Sequence, residues 1–363
     1  MASQSQSQQL PEMEYVRLGQ SGLKISKIVL GAMSYGSPAW QEWVLDEEQA
    51  LPLLEHAYKR GINTWDTADV YSHGLSERII GKALRTYNIR RSNVVILTKC
   101  FFGVDDPNPS SPFPPTPSKL PISATNSNDG ATWVNRVGLS RKHILDAVNA
   151  SVARLGTYID VLQIHRLDRS VPREEIMRAL NDVIEAGKVR YIGASSMAAW
   201  EFQMLQNVAE RNGWHKFVSM QGYYNLMNRE EEREMVPYCV ETGVGMVPWS
   251  PLARGALARP WGERESVREK TDRGLKGLVR MNETEADRCI VDRVEEIAGK
   301  KGVSMAQVAT AWCLAKGVNP ILGLNSKERI DEAVAAVKVQ LTKEEMEYLE
   351  EPYVPKAINA MER

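Results

Sequence analysis

Four side chains of this chain have the types needed to move a proton at a carbonyl oxygen: Asp66, Tyr71, Lys99 and His165. A tyrosine phenol, with a free pKa of about 10, is a weak acid at neutral pH. A nearby lysine ammonium favours the phenolate and lowers that value, and an aspartate paired with the lysine keeps it charged and aimed. A histidine, with two ring nitrogens and a mid-range pKa, donates to the substrate oxygen and orients it. The tyrosine then protonates that oxygen as negative charge develops on it. No amino acid supplies a hydride, so this reading implies a nicotinamide cofactor. Taken singly, each residue has a plainer explanation: a solvated lysine, a turn aspartate, a packing tyrosine, a satisfied core histidine. Together they are harder to dismiss, because burying Asp and Lys is costly unless they pair. Another use of Lys99 also stands open, as the Schiff-base nucleophile of an aldolase-type barrel.

The elements that must carry these residues recur along the chain. Short β-branched or apolar runs fall at 27–31, 62–68, 94–100, 160–165, 190–195, 217–221, 245–250 and 320–324, giving eight strand candidates. Amphipathic helical patterns lie between them. Ser76, Ser140 and Ser304 are expected N-caps, and Gly156, Gly187 and Gly317 expected stops, by the usual chemistry of helix ends. A hairpin precedes them, in YVRLG-QSG-LKIS. Near-continuous apolar strands alternating with helices argue for a parallel sheet buried on both faces, and eight units argue for a (β/α)8 TIM barrel. A doubly wound open sheet is the alternative, but no G-x-G-x-x-G follows the first strand. In a barrel, reactive groups come from the C-terminal ends of strands. Asp66, Lys99 and His165 lie at three adjacent such ends, with Tyr71 five residues beyond Asp66.

Composition narrows the function classes. The 363 residues hold 45 basic and 46 acidic side chains, a net charge of −1, which lacks the electrostatic footprint of a nucleic-acid binder. No apolar run is long enough to span a bilayer. The opening MASQSQSQQLPEMEY has neither a basic nor an apolar leader region, and four scattered cysteines form no CxxC. A cytoplasmic protein with reduced thiols and no metal site is expected. Residues 1–13 read as a disordered tail and 14–363 as a single barrel domain. A Pro-rich loop at 103–138 is either a substrate-facing flap or a mobile surface insertion. A second stretch, 253–282, rich in Arg, Gly and Glu, reads as irregular.

At the same residues the chain resembles the aldo-keto reductases. WDTADVY with the following SERIIGKAL, the lysine of ILTKC, the histidine of IDVLQIH, GKVRYIGASS and PWSPLARG occur in family order from Met13 onward. The closer resemblance is to the aryl-alcohol-dehydrogenase-like and versiconal hemiacetal acetate reductase-like branch, with its tail LEEPYVP at 349–355.

The resemblance implies a barrel plugged at its base by the hairpin, with NADPH extended across the top. Tyr71 would be the acid, Lys99 and Asp66 its tuning partners, and His165 the orienting group. Ser195, Ser196 and Gln221 would hold the nicotinamide amide, Ser196 standing where many members have asparagine. Trp249 would stack on the ring, and Gly31 and Met33 would line the same cleft. Ser250, Pro251, Leu252, Arg254 and Gly255 would cradle the pyrophosphate. Gly323, Ser326, Lys327 and Arg329 would meet the adenosine 2′-phosphate, with Glu332 near the adenine. That basic cluster is the reason to expect NADPH over NADH. By loop position, Tyr35, Trp40, Trp133, Arg166 and Trp261 are candidates to line a roomy apolar pocket for an aryl or polyketide-like carbonyl. The expected partner is thus a small molecule, not nucleic acid or membrane, and no oligomeric state follows. A second reading of the resemblance is a cofactor-binding regulatory subunit, as in the potassium-channel β subunits.

Overall fold

Strands whose side chains alternate between two buried faces need cover on both sides. The computed structural model describes residues 12–106 and 133–357, so residues 1–11 of the expected tail and 107–132 of the long loop lie outside it. A hairpin comes first, β1 (Tyr15–Arg17) paired antiparallel with β2 (Lys24–Ser26). Eight parallel strands follow: β3 (Val29–Gly31), β4 (Thr64–Asp66), β5 (Val95–Cys100), β6 (Ile159–Ile164), β7 (Val189–Ser195), β8 (Phe217–Gln221), β9 (Gly245–Met246) and β10 (Ile321–Leu322). They pair in the order β10-β3-β4-β5-β6-β7-β8-β9. The Asn319 and Ile321 amides donate to the carbonyls of Met246 and Pro248, each at 3.0 Å, and join β10 to β9. The sheet is therefore the closed (β/α)8 barrel that the sequence pattern implies.

Around it lie α1 (Glu47–Lys59), α2 (Leu75–Thr86), α3 (Arg141–Leu155), α4 (Arg173–Glu185), α5 (Ala199–Asn212), α6 (Met235–Thr242), α7 (Val267–Thr271), α8 (Arg273–Leu278), α9 (Glu285–Lys301), α10 (Met305–Ala315), α11 (Lys327–Ala336) and α12 (Lys343–Glu350). Among the described residues no helix is long and apolar enough to cross a membrane. Ser140 and Ser304 cap α3 and α10 as expected. Ser76 does not cap α2; Gly74 does, and the Ser76 hydroxyl is buried inside the first turn, donating to the Ala32 carbonyl at 2.9 Å. The stretch 253–282 is not irregular: two 3₁₀ turns (Ala253–Ala258 and Arg280–Asn282) flank α7 and α8. The strand expected over 245–250 shortens to Gly245–Met246, since Pro248 has no amide to offer the ladder.

Period-2 alternation decides what faces the barrel's interior. Val95 and Leu97 of β5, Val161 of β6 and Val247 after β9 form one buried cluster with Val29 and Ile321. Their alternates Ile96, Cys100, Leu162 and Ile164 pack in the layer under the helices. Leu18 and Ile25 of the hairpin complete the interior cluster from below. The Gln20 amide donates to Gly243, just before β9, at 2.8 Å, which fixes the hairpin at the strands' N-terminal end. Gly19 makes that approach feasible: its φ is +57° and a Cβ would lie 2.3 Å from the Gly243 carbonyl oxygen. The base is thus apolar and plugged. The same inward alternation, carried toward the C-terminal ends, presents polar residues: Asp66, Lys99 and Gln163.

Candidate active site

Lys99 is the hub. Its ammonium donates to Asp66 Oδ1 at 2.6 Å, to the Thr67 carbonyl at 2.8 Å and to the Tyr71 hydroxyl at 3.2 Å. Three acceptors use the three hydrogens of the ammonium. The Tyr71 oxygen accepts in this pair, so its own hydrogen is left to be donated elsewhere. Asp66 Oδ2 is held by the carboxamides of Gln163 at 3.0 Å and Gln221 at 2.9 Å. The exposures are graded: Lys99 0 % and Asp66 2 %, against Tyr71 9 % and His165 8 %. The charged pair lies beneath, and the phenol and imidazole above it keep slight solvent access. The His165 ring meets Tyr71 edge-on, with centroids 6.0 Å apart, and Phe102 likewise at 5.0 Å. Its Nδ1 is buried without a hydrogen-bond partner among the described residues.

Electrostatics correct one expectation. The Tyr71 phenol is held above its ordinary pKa: burial raises it, and the Lys99 ammonium opposes without overcoming that. The phenol therefore keeps its proton at neutral pH, as an acid must before it is used. Burial also works against the Lys99 ammonium, but Asp66 outweighs it and the lysine is held above its ordinary value. A Schiff-base nucleophile has to be a reachable neutral amine; Lys99 is neither. His165 is pushed well below its ordinary value by burial, then by Arg166 and Lys99, so its ring is neutral.

A second set of residues runs along the ends of β7 to β10. The Ser195 hydroxyl donates to the Gln221 carbonyl at 2.9 Å, and the Trp249 indole N–H donates to Ser196 Oγ at 3.2 Å. Trp249 stacks on Tyr223, with centroids 4.5 Å apart and planes 21° off parallel. Gln221 spends its amide hydrogens on Asp66 and Gln163, which leaves its carbonyl oxygen as the end able to accept. Ser196, Ser250, Ala253 and Arg254 all have φ between +46° and +56°. Left-handed conformations of non-glycine residues cost of the order of 1–3 kcal/mol each, and such strain concentrates at functional sites. Gly255 follows at +108°, and Pro251 and Leu252 lie within the same run. Gly31 sits level with Asp66 in the β3–β4 register, and Met33 packs beside Tyr71 with Trp40 and Phe102.

Positive charge gathers next to this run. Asp272, fully buried, binds the Arg254 guanidinium at 2.9 Å and Arg268 Nε at 2.9 Å. Arg268 lies over the Trp43 ring at 4.4 Å. Its pKa is lowered to about 10 by burial and by Arg254, and Arg259 is lowered by burial and by Arg329. Burial and neighbouring guanidiniums both act against the charges of Arg268 and Arg259, an arrangement that suits a bound anion. Ser326 caps α11 by accepting from the Arg329 amide at 3.3 Å. Gly323, Lys327, Arg329 and Glu332 are exposed, and a Cβ on Gly323 would lie 3.9 Å from Arg268 Nη1. These residues could hold the phosphates of a dinucleotide.

The candidates for lining the substrate pocket divide. Arg166 donates to the His165 carbonyl, and its charge reaches both His165 and Tyr71. Trp40 approaches Tyr71, with centroids 6.4 Å apart. Tyr35 does not line a pocket: it is fully buried and its hydroxyl donates to the Leu324 carbonyl, bracing the barrel. Trp133 packs on Gly103 and under Arg136, and the Trp261 ring meets Arg264 and Arg280 rather than the tetrad. Phe102, Gln163, Arg259 and Arg268 were not foreseen. Gln163 was signalled by its place two residues before His165, on the same face of β6, and the arginines by the composition of 253–282. Among the described residues no His/Cys/Asp/Glu group is placed to hold a metal.

A closed barrel whose strand ends converge on a buried Lys–Asp pair beneath a phenol and a neutral imidazole is an oxidoreductase scaffold. The model of the aldo/keto reductase family matches residues 27–353, and the chain belongs to that family, whose members generally use NAD(P)H. The chain is 68% identical to a versiconal hemiacetal acetate reductase of Aspergillus parasiticus, over 97% of this chain and all of the relative. It is 54% identical to a Schizosaccharomyces pombe relative carrying the aryl-alcohol dehydrogenase name, over 95% of this chain and 97% of that one. It is 51% identical to the aldo-keto reductase AMT2 of Alternaria alternata, over 93% and 91%.

Proposed function

We propose that this chain is an NADPH-dependent reductase that converts an aryl or polyketide-like aldehyde or ketone to its alcohol, with Tyr71 as the proton donor. The observation that carries the reading is the Lys99 ammonium 3.2 Å from the Tyr71 oxygen, with the phenol's hydrogen unspent. When bound, the nicotinamide supplies the hydride. His165, neutral, donates a hydrogen bond to the carbonyl oxygen and holds it before Tyr71. Tyr71 passes its proton to that oxygen as charge builds there, and the ammonium stabilises the phenolate left behind. Asp66 keeps Lys99 charged and centred.

Ser195 Oγ and the Gln221 side-chain oxygen offer acceptors to an amide's hydrogens and Ser196 a hydroxyl to its oxygen, and the strained run from Ser250 to Gly255 suits a pyrophosphate. The guanidinium surplus of Arg254, Arg259, Arg268 and Arg329 supports NADPH over NADH, through the extra 2′-phosphate. The substrate class rests on Met33, Trp40 and Phe102 around Tyr71, and on the reductase whose name specifies a hemiacetal, the closed form of a hydroxy-aldehyde.

The test is NADPH oxidation with a simple aryl aldehyde. Tyr71→Phe is expected to bind NADPH normally and lose about a thousandfold in kcat, in the range of general acid catalysis. A normal rate removes the mechanism. Arg268→Ala is expected to weaken NADPH more than NADH; equal affinity of the native protein for both cofactors overturns the preference.

A further inference from the structure

The turn after β8 touches the strained run after β9 through one side chain. Asn225 is fully buried. Its backbone pairs with Asn228 in both directions, at 3.1 and 3.0 Å, and its Oδ1 accepts from the Met227 amide at 2.9 Å. Those bonds complete the turn by themselves. An aspartate would make them equally well, because such turns need only the acceptor. The asparagine's Nδ2 goes elsewhere: it donates to the Ser250 carbonyl at 3.1 Å, which also accepts from the Ala253 amide at 2.9 Å. Ser250 is the first residue of the left-handed run, at φ +52°. Beside it, the Trp249 amide donates to Gly222 at 2.9 Å and its ring lies on Tyr223.

We infer that Asn225 is a positioning residue for the dinucleotide groove: its carboxamide hydrogen bond holds the Ser250 carbonyl, and so fixes the backbone from Trp249 to Gly255 in its strained form. The inference rests on the reading that this segment carries the cofactor. It is independent of the tetrad, which Asn225 does not touch. Preorganisation of this kind is felt in binding, because an unfixed segment must be ordered when the ligand arrives.

Two substitutions separate this from a structural role. Asn225→Asp keeps the Met227 bond but sets a lone pair against the Ser250 carbonyl. Asn225→Ser keeps a turn acceptor and is too short to reach Ser250. The control is Gln206→Ala, which removes a side chain bonded to both the amide and the carbonyl of Phe217, at 2.9 and 3.0 Å, at the other end of β8. NADPH affinity is read from tryptophan fluorescence, kcat at saturating NADPH from benzaldehyde reduction, and Tm from thermal melts. Both Asn225 variants are expected to raise the NADPH Kd about tenfold, the equivalent of one hydrogen bond, and to change kcat by no more than about threefold. Gln206→Ala is expected to lower Tm and leave Kd unchanged. Native-like Kd in both Asn225 variants overturns the inference alone, as does a rise in Kd that Gln206→Ala matches at equal loss of Tm. A native protein that binds no dinucleotide overturns the reading of the groove, and the inference with it.

Discussion

Replacing Lys99 separates what the buried pair does for the fold from what it does for the reaction. Lys99→Met removes an ammonium that is wholly buried and leaves the Asp66 carboxylate with two carboxamide donors, Gln163 and Gln221. Breaking a buried pair from one side costs about 3–5 kcal/mol, because the partner charge stays behind. The double variant Asp66→Asn/Lys99→Met removes both charges and is expected to be close to native in stability, since neutral replacements of buried pairs are often tolerated. Activity follows a different rule. At 3.2 Å and an effective dielectric constant of about 20, an ammonium favours a full phenolate by about 5 kcal/mol. If about half the proton has moved in the transition state, about 2.5 kcal/mol is lost, or roughly two powers of ten in kcat. Both variants should lose kcat, the single one more because the unpaired Asp66 carboxylate also opposes the phenolate, and only the single one should lose stability. With the ammonium gone, the phenol titrates higher still, so any alkaline limb in kcat moves upward. The assays are urea unfolding and single-turnover NADPH oxidation across pH. Native-like kcat in the double variant, or native stability in the single one, refutes the reasoning.

Acid pH should destabilise the fold through its buried histidines. Burial holds His165 and His143 below the ordinary 6.5 in the folded state. Between that lowered value and 6.5 the unfolded chain binds more protons, so the stability present above pH 6.5 is lost as pH falls through this window. Urea midpoints measured from pH 7 down to about 5 should fall, and His165→Gln should flatten the slope; an unchanged slope assigns the effect elsewhere. Gly81→Ala tests the packing of α2 on α3. Alanine favours a helix by about 1 kcal/mol over glycine, but its Cβ would lie 2.3 Å from the Leu155 carbonyl oxygen, which is backbone and cannot step aside. Overpacking should win, with a net loss of about 2 kcal/mol, and a Tm at or above native would contradict it.

The convergence of Asp66, Tyr71, Lys99 and His165 was legible because each lies at or just after the end of an apolar run, where barrel geometry brings strand ends together. Eight runs with helical patterns between them were enough to give the barrel; the residues of the hairpin gave a hairpin, and its place as a plug came only from the family resemblance. Direction of charge was harder to read. A lysine beside a tyrosine implied an acidic phenol, but burial is a property of packing, and here it outweighs the ammonium. Tyr35 failed for the same reason: a loop aromatic near the rim is indistinguishable in sequence from one whose hydroxyl reaches Leu324 across the barrel. Arg268 pairs with Asp272 four residues on, but the Trp43 ring beneath it comes from a distant segment, and that contact leaves no mark in the local sequence.

The pairing least visible in sequence bears directly on Lys99. Glu77 lies within SERIIGKAL, and Arg154 in the last turn of α3, where a cation suits the dipole. Both are buried, and Arg154 Nε donates to Glu77 Oε2 at 2.6 Å. The Thr98 hydroxyl donates to the other Glu77 oxygen at 2.6 Å. Thr98 and Lys99 are neighbours on β5 and so face opposite sides: Thr98 toward α2 and α3, Lys99 into the barrel. Asp69, whose carboxyl burial and the Glu77 charge push above the usual carboxylate range, donates its amide to the Lys99 carbonyl at 3.2 Å. A slip of β5 by one residue would exchange the two faces. Lys99 would then meet the apolar helix layer, and Thr98 would meet Asp66. Buried ion pairs are weak stabilisers on balance, so the gain from two of them on opposite faces of one strand lies in register. Glu77 with Arg154 on one side, and Asp66 with Lys99 on the other, admit a single alignment of β5, and that alignment sets the ammonium beneath the phenol.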